Sequence, residues 1–82
     1  MPKPPKSAAA REAEVQHLTN QLRDVGLPDE VTAPIIDDMR DFATTGQGFS
    51  KTVRVPGSRI AIVCLLSTQA HIASHIRITQ AR

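Results

Sequence analysis

The chain has 82 residues, 40% of them hydrophobic and only two aromatic (Phe42 and Phe49), which allows one small aliphatic-cored domain and excludes a disordered or multidomain protein. Domains this small lean on staples or oligomerisation, and a single cysteine, Cys64, excludes an intrachain disulfide and argues for a reducing compartment. The net charge of +2 is segregated: Lys3, Lys6 and Arg11 stand without acids in residues 1–11, and Lys51, Arg54, Arg59, Arg77 and Arg82 do so in residues 42–82. All eight acids (Glu12, Glu14, Asp24, Asp29, Glu30, Asp37, Asp38 and Asp41) lie between, against Arg23 and Arg40. That pattern implies opposite faces meeting different partners.

Met1 to Lys6, MPKPPK, predicts an extended, mobile basic arm, taken to Arg11 by the charge pattern. It lacks the apolar core of a signal peptide. Ser7 caps a first helix running to about Asp24, with Val15, Leu18, Leu22 and Val25 as one apolar stripe and Gly26 as the stop. Leu27-Pro28-Asp29-Glu30 opens a second helix, with proline at its first position and acids in its first turn. Val31, Ile35, Ile36, Met39 and Phe42 form its buried face. Pro34 interrupts the pattern, and the expectation is one bent helix ending near Thr45, closed by Gly46-Gln47-Gly48.

Ser50 to Leu66 reads as a β-hairpin, SKTVRV and RIAIVCLL joined through Pro56-Gly57-Ser58. The second run is apolar on both sides, with Ile60, Ile62, Cys64 and Leu66 pointing one way and Ala61, Val63 and Leu65 the other. A strand apolar on both faces needs cover on both, and a lone hairpin is marginal in water. The hairpin is therefore expected to be half of a larger sheet completed by a second copy, with a seam at Val53, Val55, Ile60, Ile62, Val63, Cys64 and Leu65. Cys64 itself reads as a small buried hydrophobe, with an intermolecular disulfide as the alternative. The run Ile60–Leu66 is far too short to span a bilayer. After it, Ser67 looks like the cap of a last helix over about Thr68–Ile78, with Ala70, Ile72, Ala73 and Ile76 inward and Arg77 in the last turn. The expected protomer is α+β, in the order α-α-β-β-α.

Catalytic and metal constellations are thin. His71 and His75 are four apart, a spacing that suits two ligands of one metal, but no third ligand is near: Cys64 is on a strand and His17 on the first helix. Asp37, Asp38 and Asp41 read as a solvated acidic face rather than paired catalytic carboxylates. A Ser67–His71–Asp41 triad would be coincidence, and Gly46-Gln47-Gly48 lacks the lysine and following helix of a phosphate loop. No enzymatic activity, cofactor or small-molecule substrate is expected. Lys3, Lys6, Arg11, Lys51, Arg54 and Arg59 form a candidate RNA-binding set. With no aromatic platform for base stacking, such binding would be electrostatic and sequence-tolerant.

From Leu22 to Thr79 the sequence resembles the C-terminal dimerisation domain of arterivirus nucleocapsid proteins. The likeness rests on Arg23, Pro28, Glu30 and Phe42 at matching intervals, the Gly46-x-Gly48 loop, and Gly57-Ser58-Arg59-Ile60. It continues through Leu66-Ser67-Thr68, His71 and Ile76-Arg77-Ile78-Thr79. The resemblance implies a homodimer in which two hairpins make a four-stranded antiparallel floor under the helices. It also implies packaging of genomic RNA, with residues 12–82 as the dimerisation domain, the viral genome and a second copy as partners, and location in the virion and host-cell cytoplasm. Family members carry a longer, Lys/Arg-dense N-terminal region; here only residues 1–11 correspond to it. The competing reading is a small dimeric adaptor or regulator that uses its acidic helix face on a protein partner, with no nucleic-acid role.

Overall fold

The structure, a computed structural model, describes residues 4–80. Helices α1 (Ala8–Val25) and α2 (Asp29–Thr45) are followed by strands β1 (Phe49–Arg54), β2 (Ile60–Leu66) and β3 (His75–Gln80). The strands form one antiparallel sheet in the order β1-β2-β3. The fold class is α+β, with two helices covering one face of the sheet.

The helix punctuation follows local chemistry. Ser7 Oγ accepts a hydrogen bond from the Ala10 amide at 3.1 Å, and Gly26 ends α1 in the left-handed conformation at φ 79°. Pro28 is the cap residue of α2, one position earlier than expected, and its carbonyl accepts from the Val31 and Thr32 amides. Helix α2 continues through Pro34, which is exposed, so the Glu30 carbonyl left without its helical donor faces water. Arg11, early in α1, donates from Nε to the Ala43 carbonyl late in α2 at 3.2 Å, so the two helices run antiparallel. The guanidinium thereby sits at the negative end of α2.

The hairpin turn forms as its residues dictate. Ser58 N–H donates to the Val55 carbonyl at 3.2 Å across Pro56 and Gly57, and Gly57 has φ 73°, the pattern of a type II turn. Gly48 is needed for a different reason: a Cβ there would lie 2.4 Å from the Leu66 carbonyl oxygen, so only glycine lets β1 enter beside the end of β2. The core between sheet and helices holds Val15, Leu18 and Leu22 of α1, and Val31, Ile35, Met39 and Phe42 of α2. Val55, Ile62, Cys64, Leu66 and Ile76 meet them from the sheet side.

The expected last helix is corrected to a loop and a strand. Ser67 caps no helix: its Oγ accepts from the Gln69 amide, and Ile72 N–H turns back to the Gln69 carbonyl. His75–Gln80 instead pairs with β2, Ile76 opposite Cys64 and Ile78 opposite Ile62. The physical reason is the second edge of β2. Left bare, it would expose a row of backbone donors and acceptors on an apolar strand, whereas a helix of about eleven residues is marginal alone. The protomer is therefore α-α-β-β-β. Strand β2 is central with neighbours from its own chain on both sides, and the free edges belong to β1 and β3.

Candidate nucleic-acid interface

The helices cover one face of the sheet and leave the other open. Cross-strand register defines the open face row by row: Ser50–Leu65–His75, Thr52–Val63–Arg77, and Arg54–Ala61–Thr79. The central β2 residues Ala61, Val63 and Leu65 are half-buried, and all six flanking residues are exposed. No carboxylate is among these nine, and none follows Asp41 anywhere in the sequence. Two guanidiniums thus stand on opposite edge strands, their Cα atoms roughly 12 Å apart from strand and residue spacings. Arg59 is exposed in the hairpin turn at the same end as Arg54.

The other predicted RNA contacts are placed differently. Lys3 lies outside the described residues. Lys6, expected on a mobile arm, is anchored: its Nζ donates to both Glu14 carboxylate oxygens at 2.9 and 3.0 Å, to the Ser67 carbonyl at 2.8 Å and to the Ile72 carbonyl at 2.7 Å. Its side chain is 9% exposed, and its own amide donates to the Thr68 carbonyl. Glu14 completes the cage by accepting from the Ser74 amide and hydroxyl, and Ser74 Oγ accepts from the Ser67 amide. Burial opposes the charged Glu14 carboxylate, yet the Lys6 ammonium and the two Ser74 donors outweigh it and hold its pKa below the ordinary 4.5. Arg11 is likewise spent inside the fold, on the Ala43 and Lys6 carbonyls. Lys51 points to the helix side of β1 and pairs with Asp38 of α2. Of the six cations singled out from sequence, Arg54 and Arg59 are the ones the described structure leaves exposed and unpaired with a carboxylate.

The expected seam residues divide as well. Ile62 and Cys64 are fully buried and Val55 nearly so, all within the chain's own core, while Val53 and Ile60 pack at its margin. Val63 and Leu65 alone among the seven belong to the open face. The disulfide alternative for Cys64 is corrected on the same ground, because the thiol faces its own helices and burial pushes its pKa up. His71 is in a turn and His75 on β3, so the four-residue spacing brings no helical pair of imidazoles together. Among the described residues no three metal-ligating side chains cluster, and no helix is long and apolar enough to cross a membrane. Asp37 and Asp41 are exposed on α2, while Asp38 is held by Lys51.

Sequence reasoning missed Arg77 as a surface cation, along with His75 and Thr79 beside it. The signal was available: His75-Ile76-Arg77-Ile78-Thr79 alternates polar and β-branched residues with a period of two. The helical spacing of Ala70, Ile72, Ala73 and Ile76 overlaps it and masks it. In comparison with known proteins, no family model, no curated protein and no solved structure matches this chain.

Proposed function

We propose that the chain is a small nucleocapsid-type protein that self-associates through its sheet and packages RNA on the open sheet face, in a virion and in the cytoplasm of the infected cell. One observation carries the RNA part: an exposed, acid-free surface with Arg54, Arg77 and His75 on the edge strands, and Arg59 at its end. Phosphates bind such a surface by releasing counterions, whatever the base sequence. The absence of tyrosine and tryptophan from the chain removes the usual stacking platforms, so the expected readout is the backbone alone. The resemblance to arterivirus nucleocapsid domains supports the same reading, and there the self-associating element is also a sheet. The hairpin-only, four-stranded floor requires a free edge on the hairpin; with β3 on β2, that edge is β1.

The test is binding of a mixed-sequence single-stranded RNA, followed by fluorescence polarisation from about 50 to 200 mM salt. Wild-type protein should bind with a falling log–log salt dependence, and the double variant Arg54→Glu/Arg77→Glu should lose binding while keeping its fold. A double variant that binds like wild type removes the sheet face as the contact. Wild-type protein that binds no RNA removes packaging altogether and leaves the acidic-face adaptor.

A further inference from the structure

We propose that the outer groove between α1 and α2 binds a small phosphate-bearing ligand, free phosphate or a phosphomonoester, through Arg23, Arg40 and Thr19. The groove is on the helical side of the molecule and does not depend on the RNA reading of the open sheet face.

The cations are the first observation. Residues 12–41 hold eight acids and two bases, Arg23 and Arg40. Both bases line the same groove of about 350 Å³, with Glu12, Gln16 and Thr19 of α1 and Thr44 of α2. Both are exposed, and among the described residues neither pairs with a carboxylate. On helices this acidic, an arginine ordinarily finds an acid three or four positions away. The helical neighbours of Arg23 at those spacings are Thr19 and Asn20, and Asp37, three before Arg40, is left unpaired with it.

Thr19 is the second observation. It is 7% exposed, and its hydroxyl has no hydrogen-bond partner among the described residues, whereas the other buried threonine, Thr32, reaches the Pro28 and Asp29 carbonyls. No fully enclosed side-chain oxygen or nitrogen is left without a partner, so Thr19 Oγ1 opens where the residue lines the groove. A nearly buried hydroxyl is held there without an acceptor of its own.

The helix register aims the arginines at it. The bond from Arg11 Nε to the Ala43 carbonyl sets the antiparallel helices so that Arg40 is level with about Val15. Arg23 is eight residues further along α1, roughly 12 Å away. Helical side chains lean toward their own N-terminus, so in an antiparallel pair these two lean toward each other, over Thr19 between them.

Two guanidinium forks, the Thr19 and Thr44 hydroxyls and the Gln16 amide are all donors, and they suit the several oxygens of a phosphate. A carboxylate, with two oxygens, is satisfied by one fork. Glu12, the single carboxylate of the lining, is eleven residues from Arg23, roughly 16 Å along α1. The acidic excess of the helices repels a polyanion over any length but admits one compact anion between the two arginines. That favours a small ligand over an RNA backbone.

The test follows backbone amides by NMR while inorganic phosphate, and separately ribose 5-phosphate, is added at constant ionic strength, with chloride as the control. The amides of Thr19, Arg23 and Arg40 should shift together and saturate in the millimolar range, and chloride should not move them. Arg23→Gln and Arg40→Gln should each weaken binding by roughly tenfold or more, and the near-isosteric Thr19→Val by roughly fivefold, with unchanged circular dichroism spectra. Shifts that do not saturate, or that saturate equally in the Arg23→Gln/Arg40→Gln double variant, overturn the site. A short single-stranded RNA lacking terminal phosphates should leave these three amides in place. If it moves them while phosphate and ribose 5-phosphate do not, the small-ligand site is overturned and the groove belongs to the RNA path.

Discussion

Lys6 and Arg77 carry the same charge and are used in opposite ways. Lys6 spends its three donors on a carboxylate and two carbonyls and is nearly removed from water. Arg77 stands exposed on a strand with no carboxylate on its face. The first fixes the fold: it ties the segment before α1 to the β2–β3 loop, and through Glu14 and Ser74 it positions the start of β3. The second contributes little to the fold and is free for a partner. A count of basic residues cannot separate the two roles; the partners within about 3 Å of each nitrogen do.

The largest expected effect of breaking this contrast is on stability. Lys6→Met keeps the aliphatic stem but leaves Glu14 and two inward carbonyls short of donors, at a cost of about 2–3 kcal/mol. In a domain of this size that lowers Tm by roughly 10–20 °C, measurable by thermal circular dichroism. RNA affinity, measured below the new Tm, should stay at the wild-type value.

A smaller effect comes from acid. The folded-state pKa of Glu14 is below its ordinary 4.5, so the unfolded chain takes up this proton first as pH falls. The stabilisation is complete above 4.5 and is lost progressively as pH drops through the lowered folded value. Wild-type Tm should therefore fall in that acidic window. Lys6→Met, which lacks the ammonium, should show a flatter Tm–pH curve there. Equal slopes in the two proteins would mean that other carboxylates govern the acid limb.

How much of this was legible depended on the range of the interactions. Ser7, Gly26, Pro28 and Gly46 mark helix ends through contacts within a few residues, and Pro56-Gly57 makes its own turn, so the helices and the hairpin could be read from sequence. β3 could not. Residues 70–78 satisfy a helical period through Ala70, Ile72, Ala73 and Ile76 and a strand period through His75–Thr79, and the decision is made by the vacant edge of β2. The site divided in the same way. Arg54 could be placed on a strand face from its alternation with Val53 and Val55. The fate of Lys6 was hidden because its acceptors at Ser67 and Ile72 are 61 and 66 residues away. Arg77 was lost with the misread strand.

The smallest change sharpens the contrast from the other side. Arg77→Gln removes an exposed charge that has no carboxylate partner, so stability should stay within about 0.5 kcal/mol of wild type. If the open face binds a single RNA strand through its phosphates, each cation lost should make the log K against log salt slope shallower by about 0.7. Arg54→Gln should give the same increment from the opposite edge strand, and the double variant the sum, because the two side chains share no partner in the fold. Lys51→Gln should move the slope little, since its ammonium is already neutralised by Asp38, and should show instead as a small loss of Tm. A slope that responds to Lys51 but not to Arg77 would place the bound RNA along the β1–α2 side rather than across the open face.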